Sequence, residues 1–241
     1  MHILTVKDKS GLGKKAAEII VTFLKNNPDA NMCLPTGNTP LPLYEELRNT
    51  LTSAEFTYIA LDEYLGLEKD DPRCFSNWLS REILDPFALP MKKRLLIDPS
   101  TNTPDTEAKR HEQNIIEHGG IDIAVLGLGH NGHIGFNEPG SAFSSPTRQI
   151  KLTERTRKAN AAYWGGDIER VPHTAITLGL DILSAARQTI LLVSGKDKAD
   201  ILQKSLEEPV TEDIPATYLQ NMENVVVIAD EDAASKLTQS R

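Results

Sequence analysis

The sequence predicts a doubly wound α/β fold, a mostly parallel sheet with helices on both faces. Three observations predict it. Short apolar runs alternate with helical patterns along the chain. Four of the five clearest runs are nearly continuous in apolar residues, as in parallel strands buried on both faces. The length of 241 residues suits one α/β domain with a substantial core.

The elements follow in order. The strand–helix pattern begins at Ile3. A first helix is expected over Ala16–Lys25, where Ala17, Ile20, Val21 and Leu24 form one stripe. Asn31–Leu34 reads as a strand and Pro40–Arg48 as a helix, with Pro40 in the first turn, where proline is tolerated. Phe56–Leu61 is the next strand, followed by helices over Phe75–Leu84 and Asp105–His118. The turn-rich stretch Asp98–Thr106 is a surface connection. Strands are expected over Ile121–Leu126, Thr189–Val193 and Val225–Ala229, with a helix over Lys198–Leu206. Asp230, Glu231 and Asp232 then read as an acidic helix start. No repeat, low-complexity tract or long linker interrupts the pattern, so residues 1–241 are expected to form one domain.

The formal charge is −8, from 26 Lys plus Arg against 34 Asp plus Glu. A nucleic-acid binder needs a basic stripe to displace counterions, and a peripheral protein on anionic lipid needs the same sign, so neither class fits. No apolar run approaches the roughly 20 residues that span a bilayer. With 39% apolar and 25% charged residues the composition is that of a globular protein. Cys33 sits inside an apolar run and reads as a buried thiol, and Cys74 has no partner at zinc spacing. The start, Met1 to Asp8, lacks the form of a signal peptide. A reducing cytoplasm is the expected compartment, and nothing in the pattern distinguishes a monomer from a homo-oligomer.

Ligands of open α/β sheets bind beyond the carboxyl ends of the strands. After the first run stands Leu34-Pro35-Thr36-Gly37-Asn38-Thr39-Pro40. A polar glycine turn entering a helix can cradle an anion on its backbone N–H groups, or can simply be a turn with Thr39 as the helix cap; the local pattern balances the two. It has neither the P-loop lysine nor the dinucleotide glycine spacing, which argues against ATP and NAD. After the second run, Asp62 and Glu63 are adjacent carboxylates that burial makes costly. In extended chain they point opposite ways, so one can face the crevice as a base while the other is structural or pairs with a cation. After the third run, five glycines between Gly127 and Gly140 surround His130, His133 and Glu138. A histidine with a nearby carboxylate is an acid/base pair. A metal site is the rival, but a glycine loop gives no helix face for His130 and His133 and no further ligand cluster is evident. After the fourth run, Lys196 and Lys198 stand at a helix start, where an anion would justify them. The run Thr153 to Lys158 is a solvated face by default, from which an Arg can clamp a phosphate.

These segments, with Thr147-Arg148, Thr156-Arg157, Ala175 to Leu180 and Gly195 to Ala199, carry a resemblance. The chain resembles the glucosamine-6-phosphate deaminase/isomerase family over almost its whole length, most specifically from Gly127 to Gly140. The resemblance implies a cofactor-independent aldose–ketose isomerisation with loss of ammonia, from an amino sugar 6-phosphate to fructose 6-phosphate or its epimer. It makes Asp62 the general base and His133 the group that assists ring opening, with Glu138 orienting it. Thr36, Gly37, Asn38 and Thr39 become the phosphate loop with Arg157 and Lys198 as its cations, and Glu63 and Gly132 join the substrate contacts. Asn131 stands where some members have Asp; it can hold a histidine but not titrate. The resemblance and Gly165-Gly166 also make 152–172 a helical lid.

The cation that allosteric members carry just after the Arg148 position is missing and the sequence ends at Arg241, so activation by an acetylated amino sugar phosphate is not expected. Pro72 to Trp78 departs from the usual glucosamine enzymes, and Ile214 to Leu219 resembles the galactosamine branch as well as the glucosamine branch. Galactosamine 6-phosphate, giving tagatose 6-phosphate, therefore stays open as the substrate. A 6-phosphogluconolactonase and a non-catalytic sugar-phosphate sensor rank lower. Lactone hydrolysis needs no C1–C2 proton shuttle, and a sensor of this type carries a DNA-binding module ahead of the domain.

Overall fold

The computed structural model describes residues 1–53 and 55–238. Seven parallel strands form the main sheet: β1 (His2–Val6), β2 (Asn31–Leu34), β3 (Thr57–Ala60), β5 (Arg94–Leu95), β6 (Ile123–Gly127), β9 (Gln188–Val193) and β10 (Val225–Asp230). Their spatial order is β1-β10-β9-β6-β2-β3-β5. From β2 the chain winds outward through β3 to β5, and from β6 it winds the other way through β9 and β10. The switch point therefore lies between β2 and β6, where a ligand crevice is expected.

Burial on both faces explains why these strands are legible as apolar runs. Met32, Leu34, Ile190, Leu192 and Ile228 pack in one core. Their chain neighbours Cys33, Leu191, Val193, Val227 and Ala229 pack in the other. The first core is closed by α1 (Lys9–Asn26) and α2 (Leu41–Thr50). The second is closed largely by α7 (Ala199–Glu207) and by α4 (Pro104–Glu117) through Ile115.

Helix α1 begins about two turns before the expected Ala16, at Lys9. Asp8 caps it by accepting the Gly11 N–H at 2.9 Å, and Gly11 and Gly13 mask the helical pattern there. The expected helix Phe75–Leu84 is an α-helix only over α3 (Phe75–Leu79); residues 80–84 continue as a π-helical turn.

A second sheet was not apparent in the sequence. β4 (Asp62–Tyr64), β8 (Thr174–Thr177) and β7 (Arg148–Lys151) pair antiparallel in that order. β7 reads Arg-Gln-Ile-Lys and is half exposed, so it carries no apolar run. Aromatic packing of Tyr64, Phe136 and Trp164 covers this sheet. The segment expected as a lid contains α5 (Glu154–Asn160) and 3-10 turns at Ala161–Trp164 and Ile168–Arg170. The remaining α-helices among the described residues, α6 (Leu180–Ser184) and α8 (Glu231–Ala234), are short. Asp230 caps α8 through the Ala233 N–H at 2.8 Å, as the acidic start predicts.

Candidate active site

A cleft of about 500 Å³ opens at the carboxyl edge of the sheet, over the switch point. Thr36, Gly37, Asn38 and Thr39 form one wall, directly after β2. None of them caps α2: the helix starts at Leu41 behind Pro40, with no side-chain cap bond. The turn is thus free to present backbone donors, and Gly37 takes φ +101°, which glycine adopts without strain.

Asp62 lies in the cleft. Its carboxyl is pushed up to about 8, first by burial and then by the negative charge of Glu63. Glu63 is its geometric opposite. It points away from the cleft and accepts N–H bonds from Tyr64 (3.0 Å), Phe75 (2.8 Å) and Ser76 (2.9 Å), two of them at the start of α3. Burial raises its pKa against these donors. The three N–H groups favour its charged form, and that negative charge adds to the rise at Asp62. Glu63 therefore anchors the start of α3 and does not line the cleft, the alternation along β4 having turned the two neighbours opposite ways. Glu63→Gln is expected to destabilise the fold by about 1–3 kcal/mol in urea unfolding, through the lost charged acceptor. It should also lower the Asp62 pKa, moving the acidic limb of the pH–activity profile to lower pH.

The glycine loop after β6 brings His133 to the cleft. Its ring lies so close over Gly129 that a Cβ there would stand 2.4 Å from Nε2, so only glycine fits. His133 Nδ1 faces Glu138 Oε2 at 3.7 Å. Asn131 holds the arrangement, donating Nδ2–H to Glu138 Oε2 at 2.6 Å and accepting the His133 N–H on Oδ1 at 3.2 Å. Thr156 donates a short hydroxyl bond to Glu138 Oε1, and Thr153 a longer one of 3.3 Å. Burial works against the Glu138 charge, but His133, Thr156 and Asn131 outweigh it and hold the pKa down to about 2. Glu138 thus stays anionic behind the histidine and ties the loop to α5. Gly132 is not at the cleft wall. Its φ is +83° and a Cβ would meet Ile214 Cγ2 at 2.5 Å, while its carbonyl accepts the Ala216 N–H; it packs against the 214–216 segment.

Lys198 stands at the cleft with Nζ donating to the Leu128 carbonyl at 2.7 Å. Burial lowers its pKa to about 8, with Asp197 opposing and Arg155 adding to the fall. Arg157 does not join it. Its buried guanidinium donates to the Ile168 carbonyl at 2.7 Å and the Val171 carbonyl at 3.2 Å, stapling α5 to the turn that follows. The cradle in this structure therefore has Lys198 as its cation from the expected pair, because the carbonyls of 168 and 171 claim Arg157.

Other residues at the cleft were not singled out from the sequence. Arg73 is fixed by Asp71 at 2.8 and 2.5 Å and lies 4.3 Å from the centroid of the Trp164 ring. Arg81, Tyr64 and Tyr163 also reach the cleft. Of these, only Arg73 carried a signal of its own, the departure of 72–78 from the family pattern. Among the described residues no three His, Cys, Asp or Glu side chains converge as a metal site, and no helix is long and apolar enough to cross a membrane.

The profile of the family described as glucosamine-6-phosphate isomerases/6-phosphogluconolactonase matches residues 8–228. The chain is 39% identical over 242 residues to a glucosamine-6-phosphate deaminase of Bacillus pumilus, covering 98% of this chain and 99% of that one. It is 40% identical over 245 residues to glucosamine-6-phosphate deaminase 2 of Bacillus subtilis, covering 98% of each. The solved structure of a monomeric glucosamine-6-phosphate deaminase superposes with a TM-score of 0.94 at 35% identity, over 98% of this chain and 100% of that one. A 6-phosphogluconolactonase from Trypanosoma cruzi shares the fold, with a TM-score of 0.80 at 20% identity and coverage of 99% and 97%. By profile, by sequence over its full length and by fold, the chain belongs to the family of glucosamine-6-phosphate isomerases and 6-phosphogluconolactonases.

Proposed function

We propose that this protein is a glucosamine-6-phosphate deaminase, converting glucosamine 6-phosphate and water to fructose 6-phosphate and ammonia. The observation that carries the reading is the convergence of Asp62, the Glu138-backed His133 and the Thr36–Thr39 cradle with Lys198 around one cleft. The deaminase relatives, matched over their full length, support the same reading.

The phosphate rests on the backbone donors of the 36–39 turn and on Lys198, which fixes the sugar with C1 and C2 over Asp62. His133, its Nδ1–H directed at Glu138, takes the O1 proton on Nε2 and returns it to the ring oxygen, which opens the pyranose. Asp62 then removes the C2 proton, O1 takes up a proton, and an enolamine forms. Return of the carbon-bound proton at C1 leaves an iminium at C2. Water adds there and ammonia leaves, giving the ketose. Asn131 keeps Glu138 and the His133 backbone in register. The 152–172 segment acts as a lid that excludes water from the enolamine.

Supplying glucosamine 6-phosphate and galactosamine 6-phosphate separately and measuring ammonia and ketose tests the proposal. Glucosamine 6-phosphate is expected to be turned over at the higher kcat/KM. No turnover of it, or 6-phosphogluconolactone hydrolysis in its place, overturns the reading.

A further inference from the structure

Asp230 ends β10 and is buried. Besides capping α8 it holds the turn that follows β9. Val193, the last residue of β9, pairs with Ala229, so the ladder stops there and Asp230 stands beside Ser194. Asp230 Oδ2 accepts the Ser194 hydroxyl at 2.5 Å, and the Gly195 N–H lies 3.1 Å from each carboxylate oxygen. The same turn carries the cation of the cleft. Gly195 takes φ +99°, and its carbonyl accepts the Lys198 N–H at 3.0 Å. A Cβ on Gly195 would stand 2.7 Å from Asp197 Oδ1, so the turn is closed tightly around its glycine. Ser194 and Lys198 line the cleft, and Asp230 is not part of its lining.

We propose that Asp230 is a positioning residue for phosphate binding: by fixing Ser194 and Gly195 to the end of β10, it sets where Lys198 delivers its ammonium. This rests on Lys198 being the cation of the phosphate cradle. A lysine is a point charge on a flexible stem, so its reach is fixed by what the tip holds and by where the backbone starts. The tip holds the Leu128 carbonyl at 2.7 Å. The backbone start is set by the 194–198 turn, which lies beyond the strand ladder and takes its hold from Asp230 instead. One carboxylate can do this because it is acceptor-only, with capacity for Ser194 and Gly195 as well as the Ala233 N–H. With the carboxylate gone, the turn loosens and the ammonium is no longer held at the anion. The loss is about one net hydrogen bond, a factor of roughly 2–10 in phosphate affinity.

The sequence has two tryptophans, Trp78 and Trp164, and both line the cleft, so their emission reports on the site. Full-length wild type, Asp230→Ser, Ser194→Ala and Lys198→Met are titrated with inorganic phosphate by fluorescence and calorimetry. Their kcat and KM for glucosamine 6-phosphate are measured alongside. Asp230→Ser keeps an oxygen that can cap α8 but is too short to hold the turn. Ser194→Ala removes one link and leaves the carboxylate in place, so it decides the question where Asp230→Ser does not fold. The expected result is a phosphate Kd raised about 2- to 10-fold, with KM rising in parallel and kcat within about 2-fold of wild type. In a Lys198→Met background neither substitution should raise Kd further, because the cation they position is gone. A wild-type Kd in folded Asp230→Ser overturns the proposal, as does one in Ser194→Ala where Asp230→Ser fails to fold; either result leaves the cradle standing. An equal rise in both backgrounds overturns it too, since a general loosening of the fold would not depend on Lys198. A Lys198→Met that binds phosphate as tightly as wild type takes the lysine out of the cradle, and the proposal with it.

Discussion

Asp62→Asn is expected to lower kcat for glucosamine 6-phosphate by about 10²–10⁴, the range that a positioned general base supplies. The amide is nearly isosteric but cannot take the C2 proton. Phosphate affinity, which depends on the 36–39 turn and Lys198, should change little, so kcat falls while phosphate inhibition persists. The wild-type pH profile gives an independent check. Asp62 works as a base only when deprotonated, and its pKa near 8 makes kcat/KM fall as the pH drops below that value. Lys198 holds the phosphate only when protonated, and its pKa near 8 makes kcat/KM fall as the pH rises above it. The two limbs meet near pH 8 in a narrow bell. Lys198→Arg, which stays charged, should remove the alkaline limb and leave the acidic one. Near-normal kcat in Asp62→Asn, or a profile flat from pH 6.5 to 9, would take Asp62 out of the role.

The sequence made the main sheet legible because its strands are buried on both faces. Asn-Met-Cys-Leu at 31–34 and Ile-Leu-Leu-Val at 190–193 need no partner to be recognised. The proposed base was legible for a related reason: Asp62 follows such a run, where an acid is costly unless it has work. The alternation along 62–64 even foretold that its neighbour would face elsewhere, although the family pattern placed Glu63 among the substrate contacts. What failed was non-local. Arg157 is long and flexible, and its direction is decided by the carbonyls of Ile168 and Val171, which only the folded turn brings within reach. Arg73 and Tyr163 meet in the cleft although 90 residues apart, Arg73 lying over the ring of Trp164. The small sheet escaped because β4 and β8 are each four residues or fewer and β7 is polar.

Acidification is expected to unfold the protein through a histidine that stands behind the site. His111 on α4 is fully buried, and its Nε2 lies 2.9 Å from the Ala60 carbonyl, two residues before Asp62. Nε2 must donate there, so the neutral ring carries its lone pair on Nδ1, which has no hydrogen-bond partner among the described residues. A proton added at Nδ1 creates a buried charge with no acceptor, and burial accordingly lowers the pKa from 6.5 to about 4. The unfolded chain then binds this proton more readily than the folded one. The associated stability is intact above pH 6.5 and is lost as the pH falls from about 6.5 to about 4, with no further loss from this group below that. A shift of this size corresponds to roughly 3 kcal/mol, a large share of the 5–15 kcal/mol that holds a typical domain. Urea unfolding of wild type and His111→Gln at a series of pH values from 7 to 4.5 isolates the effect. The variant is less stable at pH 7, where it loses the ring packing, but its stability falls less steeply toward pH 4.5. Parallel stability–pH curves for the two proteins would mean that other groups drive acid unfolding.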